Sequence, residues 1–278
     1  MEVGNQIREL RKQHKISQKN LANQIGVAQS AIANYETGLR TPNHEILIKL
    51  ANYFDVSLDK LMCRMHENTN WHDVAEVFFK SLMHHDLDSC LGMLRHMMEK
   101  GINIQDIYLK IIKYALVKIG WLWETGVISV ADEHLMVYEL EKVMGYMQSD
   151  IKISITKDKK IMGLLPHGEL HEMPMKLALD LLKYDGYDTY YLGRNIPETD
   201  LIKFIKDNEI ETVLISATME SSEVHARSLA NRINDHIRCE IYLGGQAFRK
   251  LQFDKEGISI EDGFKIVSTY QVLMEALR

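Results

Sequence analysis

Residues 160–174 read KIMGLLPHGELHEMP. A short apolar run at 161–165 halts at Pro166, and a polar loop follows before the next amphipathic helical stretch. The same unit recurs down the chain. Apolar runs lie at 161–165, 188–192, 212–217, 239–243 and 265–268, with starts 27, 24, 27 and 26 residues apart and helical patterns between them. Strands alternating with helices at this regular spacing predict an α/β, doubly wound, flavodoxin-like domain with a five-stranded parallel sheet. The usual order of such a sheet is 2-1-3-4-5, which makes strands 1, 3 and 4 neighbours, and ligands sit outside the carboxyl ends of the strands.

Three unusual loops then share one rim. Strand 1 is followed by Pro166-His167-Gly168-Glu169-Leu170-His171-Glu172-Met173-Pro174, strand 3 runs into Ser216-Ala217-Thr218-Met219, and strand 4 ends at Gly244-Gly245. The rim has no Ser/Thr/Gly-rich phosphate cradle after strand 1 and no GxGxxG for a dinucleotide. A phospho-receiver would carry a carboxylate where Ser216 stands. What remains is a histidine with a carboxylate two residues before it, hydroxyls opposite, and glycines that let a flat group approach the backbone. A histidine oriented by a carboxylate is a metal-ligand arrangement. The residues in question are Glu169, His171, Ser216, Thr218, Gly244 and Gly245. A zinc site made of His167, His171 and Glu169, or a plain surface histidine, are the competing readings.

Upstream, helical patterns at 73–84, 87–100, 104–124 and 130–150, with Gly101 and Gly126 in the joints, predict a four-helix bundle. A stripe through Ile104, Tyr108, Ile111, Ala115 and Ile119 extends by four to Trp123, whose indole is expected to face inward. Ser129 and Asp132 form a capping-box variant at the next helix, and Glu133 and His134 follow. Trp123, Glu133 and His134 are thereby expected at one end of the bundle. Met93, Met97, Met98 and Met136 read as core.

The first sixty residues are short helices with tight joints. Ser17 is placed to cap a helix containing Leu21, Ala22 and Ile25, Gly26 supplies a turn, and Gln29–Tyr35 forms the next helix. Pro42 and Asn43 open a fourth helix. Gln18, Gln29, Ser30 and Asn34 stud the helix starts and faces, where Gln and Asn can read adenine and Ser can hold phosphate. Arg40 and Lys12 suit phosphate contacts. Residues 1–62 hold eight Lys/Arg against six Asp/Glu, a net of +2 within a chain of net −6, so the only positive segment is the one expected to meet a polyanion.

Composition bounds the rest. A chain of 278 residues, 46% hydrophobic and 26% charged, with three scattered cysteines (Cys63, Cys90, Cys239) and no run long enough for a membrane span, is neither disordered nor a disulfide scaffold. The cysteines are expected to be buried thiols. Without a leader-like N-terminus the protein is expected in the cytoplasm, with no membrane partner.

Three resemblances follow from these residues. Ser17-Gln18, Leu21-Ala22, Gly26-Val27, Ser30, Ile32, Tyr35-Glu36, Gly38 and Pro42 resemble the lambda-repressor-like helix-turn-helix family. Glu169-x-His171, Ser216 and Gly244-Gly245 resemble the cobalamin-binding domain of corrinoid proteins and B12-dependent enzymes, with Pro174 where that family has glycine. Trp123-x9-Glu133-His134 resembles the light-responsive, adenosylcobalamin-binding transcriptional regulators, with Glu124 where some members carry a histidine.

The resemblances imply four segments: a helix-turn-helix domain at 1–63, a linker at 64–72, a four-helix bundle cap at 73–156, and a Rossmann-like cobalamin domain at 157–278. They imply that His171 ligates cobalt from below while Trp123, Glu133 and His134 surround the upper face. The expected protein is not an enzyme. It is a regulator, with light sensing among its expected roles, that binds a double-stranded DNA operator as a dimer or higher homo-oligomer and senses a cobalamin, adenosylcobalamin being favoured. A bilin or haem is the alternative ligand, and a corrinoid carrier for a methyltransferase is the alternative role.

Overall fold

The computed structural model describes residues 2–56, 58–61, 70–151, 153–261 and 263–277; Cys63 and residues 64–69 of the expected linker lie outside the described residues. The chain divides into two compact units, one up to Met147 and one from Gln148.

In the first unit, α1 (Glu2–Gln13), α2 (Gln18–Ile25), α3 (Gln29–Glu36), α4 (His44–Phe54) and α5 (Leu58–Leu61) enclose a core that includes Ile7, Leu21, Ile25, Ile32, Leu50 and Phe54. The helix boundaries have local causes. Ser17 Oγ accepts the Asn20 amide at 3.1 Å, and Asn43 Oδ1 accepts that of Ile46 at 2.9 Å, each satisfying a donor that the first turn leaves open. Gly26 closes α2 with φ +77, a conformation that glycine enters without strain, and the chain turns directly into α3.

The bundle comprises α6 (Trp71–Met83), α7 (Leu87–Glu99), α8 (Ile104–Ile107), a π turn (Tyr108–Ile112), α9 (Lys113–Glu124) and α10 (Val130–Asp150). Asn70 caps α6, so the helix begins at Trp71. The Ser129–Asp132 box forms reciprocally: Ser129 N–H and Oγ–H reach Asp132 Oδ2 at 2.9 and 2.7 Å, and Asp132 N–H reaches Ser129 Oγ at 3.2 Å. The stretch 104–124 is thus not one uniform helix, and the π turn brings Ile107, Tyr108, Ile111 and Ile112 all into the interior.

The second unit is a twisted sheet of β1 (Lys160–Leu164), β2 (Asp188–Gly193), β3 (Thr212–Ser216), β4 (Glu240–Gly244), β5 (Ile258–Glu261) and β6 (Phe264–Val267), in the order β2-β1-β3-β4-β6-β5. Helices α11 (Met173–Tyr184), α12 (Glu198–Asp207), α13 (Glu220–His236) and α14 (Tyr270–Ala276) cover it. The five expected strands pair in parallel in the expected order. The sixth, β5, runs antiparallel to β6 at the edge. Its Ile-Ser-Ile-Glu alternation gives no continuous apolar run, which is why the sequence pattern passed over it. Alternate residues feed two cores: Met162, Val213, Ile215, Ile241 and Leu243 on one face, Ile161, Leu214 and Tyr242 on the other.

Cys90 is fully buried and Cys239 partly so; burial pushes their thiols up to about 12 and about 11, so neither forms thiolate at neutral pH. Among the described residues, no helix is long and apolar enough to cross a membrane.

Candidate functional site

The loop between β1 and α11 is organised by one carboxylate. Glu169 is fully buried. Its Oε1 accepts the amides of Leu170 and His171, each at 3.0 Å, and faces His171 Nδ1 at 2.5 Å. Its Oε2 accepts the amides of Thr218 and Met219, at 2.8 and 3.2 Å, from the loop after β3. Burial opposes the charge on Glu169, but the hydrogen bonds from His171, Thr218 and Met219 outweigh it and hold the carboxyl at about 2. An ionised carboxylate only accepts hydrogen bonds, so His171 Nδ1 carries the proton, and in the neutral ring the lone pair sits on Nε2.

The third loop is tied to the second. Ser216 pairs with Gly244 in the β3–β4 ladder, the Ala217 amide donates to Gly244 O at 2.9 Å, and the Ala247 amide donates to Ala217 O at 3.1 Å. Gly245 makes this closeness possible: its φ is +114, and an added Cβ would stand 2.2 Å from Ala217 O. Gly244 has no such demand, since a Cβ there would make only an ordinary contact with Val267. Glu169, His171, Ser216, Thr218 and Gly245 therefore lie on one rim, while Leu170 (66% exposed) and Met219 leave apolar surface beside it.

The competing zinc arrangement does not form. His167 turns away to Asn195, its Nδ1 3.1 Å from Oδ1, and its ring lies edge-on to His225 at 6.1 Å. Among the described residues no group of three His, Cys, Asp or Glu is placed to hold a metal ion. Pro174 sits in the first turn of α11, where its missing amide proton costs no helical hydrogen bond. The Met219 amide, Asn195 and His225 were not singled out from the sequence. A backbone amide carries no residue signature, so nothing in the sequence could mark Met219 as a partner of Glu169.

At the bundle end, one expectation is corrected. Trp123 is 38% exposed, and the neighbouring Leu122 is the buried residue. Steps of four residues overshoot a helical turn by about 40° each, so two steps from buried Ala115 rotate Trp123 roughly 80° off the inner face. Glu133 is partly buried and lies 3.4 Å from Nε2 of the largely exposed His134.

In the helix-turn-helix, Gln29, Ser30 and Arg40 are exposed and Asn34 is partly so. Gln18 is anchored from behind: its Nε2 donates to Glu36 Oε2 at 2.9 Å. Glu36 also takes Arg11 Nε at 2.6 Å and Nη2 at 3.0 Å. The Arg40 amide donates to Asn34 O at 3.2 Å, which ties the loop after α3 to the helix. Lys12 pairs with Glu9 at 3.4 Å.

Known proteins share these parts. Residues 7–61 match the helix-turn-helix family model, residues 159–264 that of the B12 binding domain, and residues 74–147 a second family also described as a B12 binding domain. Two Bacillus subtilis relatives resemble the N-terminal segment. The uncharacterized HTH-type transcriptional regulator YqaE is 41% identical over 56 residues, and the HTH-type transcriptional regulator AnsR is 43% identical over 56 residues. Each match covers 20% of this chain and 48% of the relative, so the chain spans about half the length of these relatives. The monomethylamine corrinoid protein of Methanosarcina barkeri shares the fold: TM-score 0.58 at 15% identity, over 74% of this chain and 98% of that one. The chain thus joins a helix-turn-helix domain to B12-binding domains.

Proposed function

We propose that this union of a helix-turn-helix with B12-binding domains is a transcriptional regulator that reads an operator and reports the state of a bound cobalamin. The observation that carries the reading is the His171 imidazole, clamped through Nδ1 at 2.5 Å by a buried, ionised Glu169, in the same chain as a helix-turn-helix. The donor set fits a corrinoid. Nε2 is the nitrogen that a cobalt would take, the Glu169 hydrogen bond raises its basicity, and Gly245 keeps the neighbouring backbone low. Adenosylcobalamin is the favoured form, because Trp123, Glu133 and His134 suit an upper-face group; when bound, it supplies a cobalt–carbon bond that light can break. The two B12-binding descriptions favour cobalamin over a bilin or haem.

The DNA reading assigns Gln29, Ser30 and Asn34 to base and backbone contacts, Arg40 to phosphate, and Gln18 to a contact held in place by Glu36. One helix-turn-helix reads one half-site, so two copies of the chain are expected on an operator with half-sites about 34 Å apart. No catalysis is assigned. A corrinoid carrier for a methyltransferase ranks second, because residues 7–61 have no part in methyl transfer.

The test is reconstitution of the full chain with hydroxocobalamin, adenosylcobalamin, biliverdin and haem in turn. Absorption spectra and operator affinity are then measured, for the adenosylcobalamin form in darkness and after green light. Retention of cobalamin with histidine ligation and a cofactor-dependent operator affinity is the expected result. Retention of biliverdin or haem instead would remove the ligand assignment. Equal operator affinity with and without cofactor would remove the sensing role.

A further inference from the structure

Glycine in the interior of a helix is destabilising unless the backbone or a close neighbour demands it. Three bundle glycines, Gly92 in α7, Gly120 in α9 and Gly145 in α10, meet neither demand: none has positive φ, and a Cβ added to any of them would find no atom within 4 Å. Two of the three open on polar faces. Asp88, Ser89, Arg95 and His96 surround Gly92 at helical spacing, and Glu141, Lys142, Gln148 and Ser149 surround Gly145. Gly120 differs. Leu116 stands four residues before it and Trp123 three after it, both on the flank of α9 toward the buried face formed by Ala115, Ile119 and Leu122, while Val117 and Glu124 stand on its other flank. The flank is therefore a gap between a partly buried leucine and an indole that is 38% exposed.

We propose that Gly120 is a notch that admits the bulk of a cobalamin against Trp123, and so determines which ligands the bundle accepts. The occupant follows from two observations: residues 74–147, which contain both positions, match a B12 binding domain, and the flank of the gap toward the buried face is apolar with an aromatic wall. A corrin is a broad, nearly flat ring with an apolar face. Trp123 would offer its indole to such a face, and Gly120, one turn before it on α9, would leave room for the edge of the ring. A methyl group at that position holds the ring off the indole, and contact energy of this kind falls steeply over a gap of less than an ångström. The inference rests on the cobalamin reading above and adds a residue to it.

The experiment uses the full chain and three proteins: wild type, Gly120→Ala and Gly92→Ala. Melting of the ligand-free proteins and spectral titration with hydroxocobalamin and adenosylcobalamin, in darkness, are the two readouts. Both substitutions are expected to raise the ligand-free melting midpoint by about 2–4 °C, as helix-interior alanine does. Gly120→Ala is expected to weaken, by about tenfold or more, whichever of the two cobalamins the wild type binds, while Gly92→Ala keeps wild-type affinity. Undiminished affinity in Gly120→Ala overturns the notch and leaves the cobalamin reading intact. A lowered ligand-free midpoint in Gly120→Ala also overturns it, because the glycine would then serve the fold itself. A wild-type chain that takes up neither cobalamin overturns the functional reading on which the notch depends.

Discussion

The sheet rim and the bundle end both carry residues that sequence reasoning assigned to one ligand, yet they are built differently. At the rim, buried Glu169 accepts hydrogen bonds from one imidazole and four backbone amides, drawing two loops together. At the bundle end, Trp123 is partly exposed and Glu133 meets His134, itself 76% exposed, in a pair of the kind that solvent weakens. The rim is thus organised by the chain alone. The bundle residues are held mainly by their helices, and their geometry has room to respond to whatever lies against them. A preorganised ligand clamp and a more adaptable surface within one chain are the combination expected when one region retains a group and another reports its state.

Substitutions at the two regions should differ in kind as well as size. The largest loss is expected for His171→Ala, which removes the nitrogen offered to cobalt: cobalamin affinity should fall by more than the roughly 10–100-fold that loss of a supporting partner costs, with a changed absorption spectrum. An unchanged spectrum would show that the rim does not ligate the metal. Glu169→Ala comes next, with an affinity loss of about 10–100-fold. It should also destabilise the ligand-free sheet unit by about 1–3 kcal/mol, because the amides of Thr218 and Met219 lose their acceptor. Trp123→Ala should show the opposite balance, with little change in ligand-free melting and a several-fold loss of cobalamin. Equal melting losses in these two variants would erase the contrast between clamp and surface.

Acid should sharpen it further. Glu169 titrates at about 2 in the fold against an ordinary 4.5, so its stabilising contribution is present in full above 4.5 and is lost as pH falls toward 2. Melting of the ligand-free chain is therefore expected to fall more steeply across that window in wild type than in Glu169→Gln, and parallel curves would deny the carboxylate this role. The last expectations concern DNA, in the other segment of the chain. Gln29→Ala should relax operator choice, by about 1–3 kcal/mol at the bases it reads, whereas Arg40→Ala should weaken all sequences alike and lower the salt slope by about one. Binding assays on operator variants at several salt concentrations separate the two.

Much of this was legible in the residues. The strand spacing gave the parallel order, Ser17, Gly26 and Asn43 marked helix ends through chemistry acting within a few residues, and Glu169-x-His171 lay close enough in sequence for their pairing to be anticipated. The edge strand β5 was not, because it lacks the continuous apolar run that marks the other strands, and the π turn at Tyr108–Ile112 was not, because it leaves the apolar pattern of its helix uninterrupted. Nor was the outward turn of Trp123, where small phase errors accumulate along a helix.

By itself, then, the sequence determined what depends on local stereochemistry and on the period of apolar residues: helix caps, the βα repeat, and the choice of loops that face one rim. Only the tertiary structure decided what depends on groups far apart in the chain. It joined Glu169 to the amides of Thr218 and Met219, set Arg11 and Gln18 on Glu36, turned His167 toward Asn195 and His225, and pressed Gly245 against the Ala217 carbonyl. The physical reason is that backbone donors and acceptors are the same in every residue except for proline's missing donor. Which of them a buried carboxylate finds is settled by the packing of strands and loops around it.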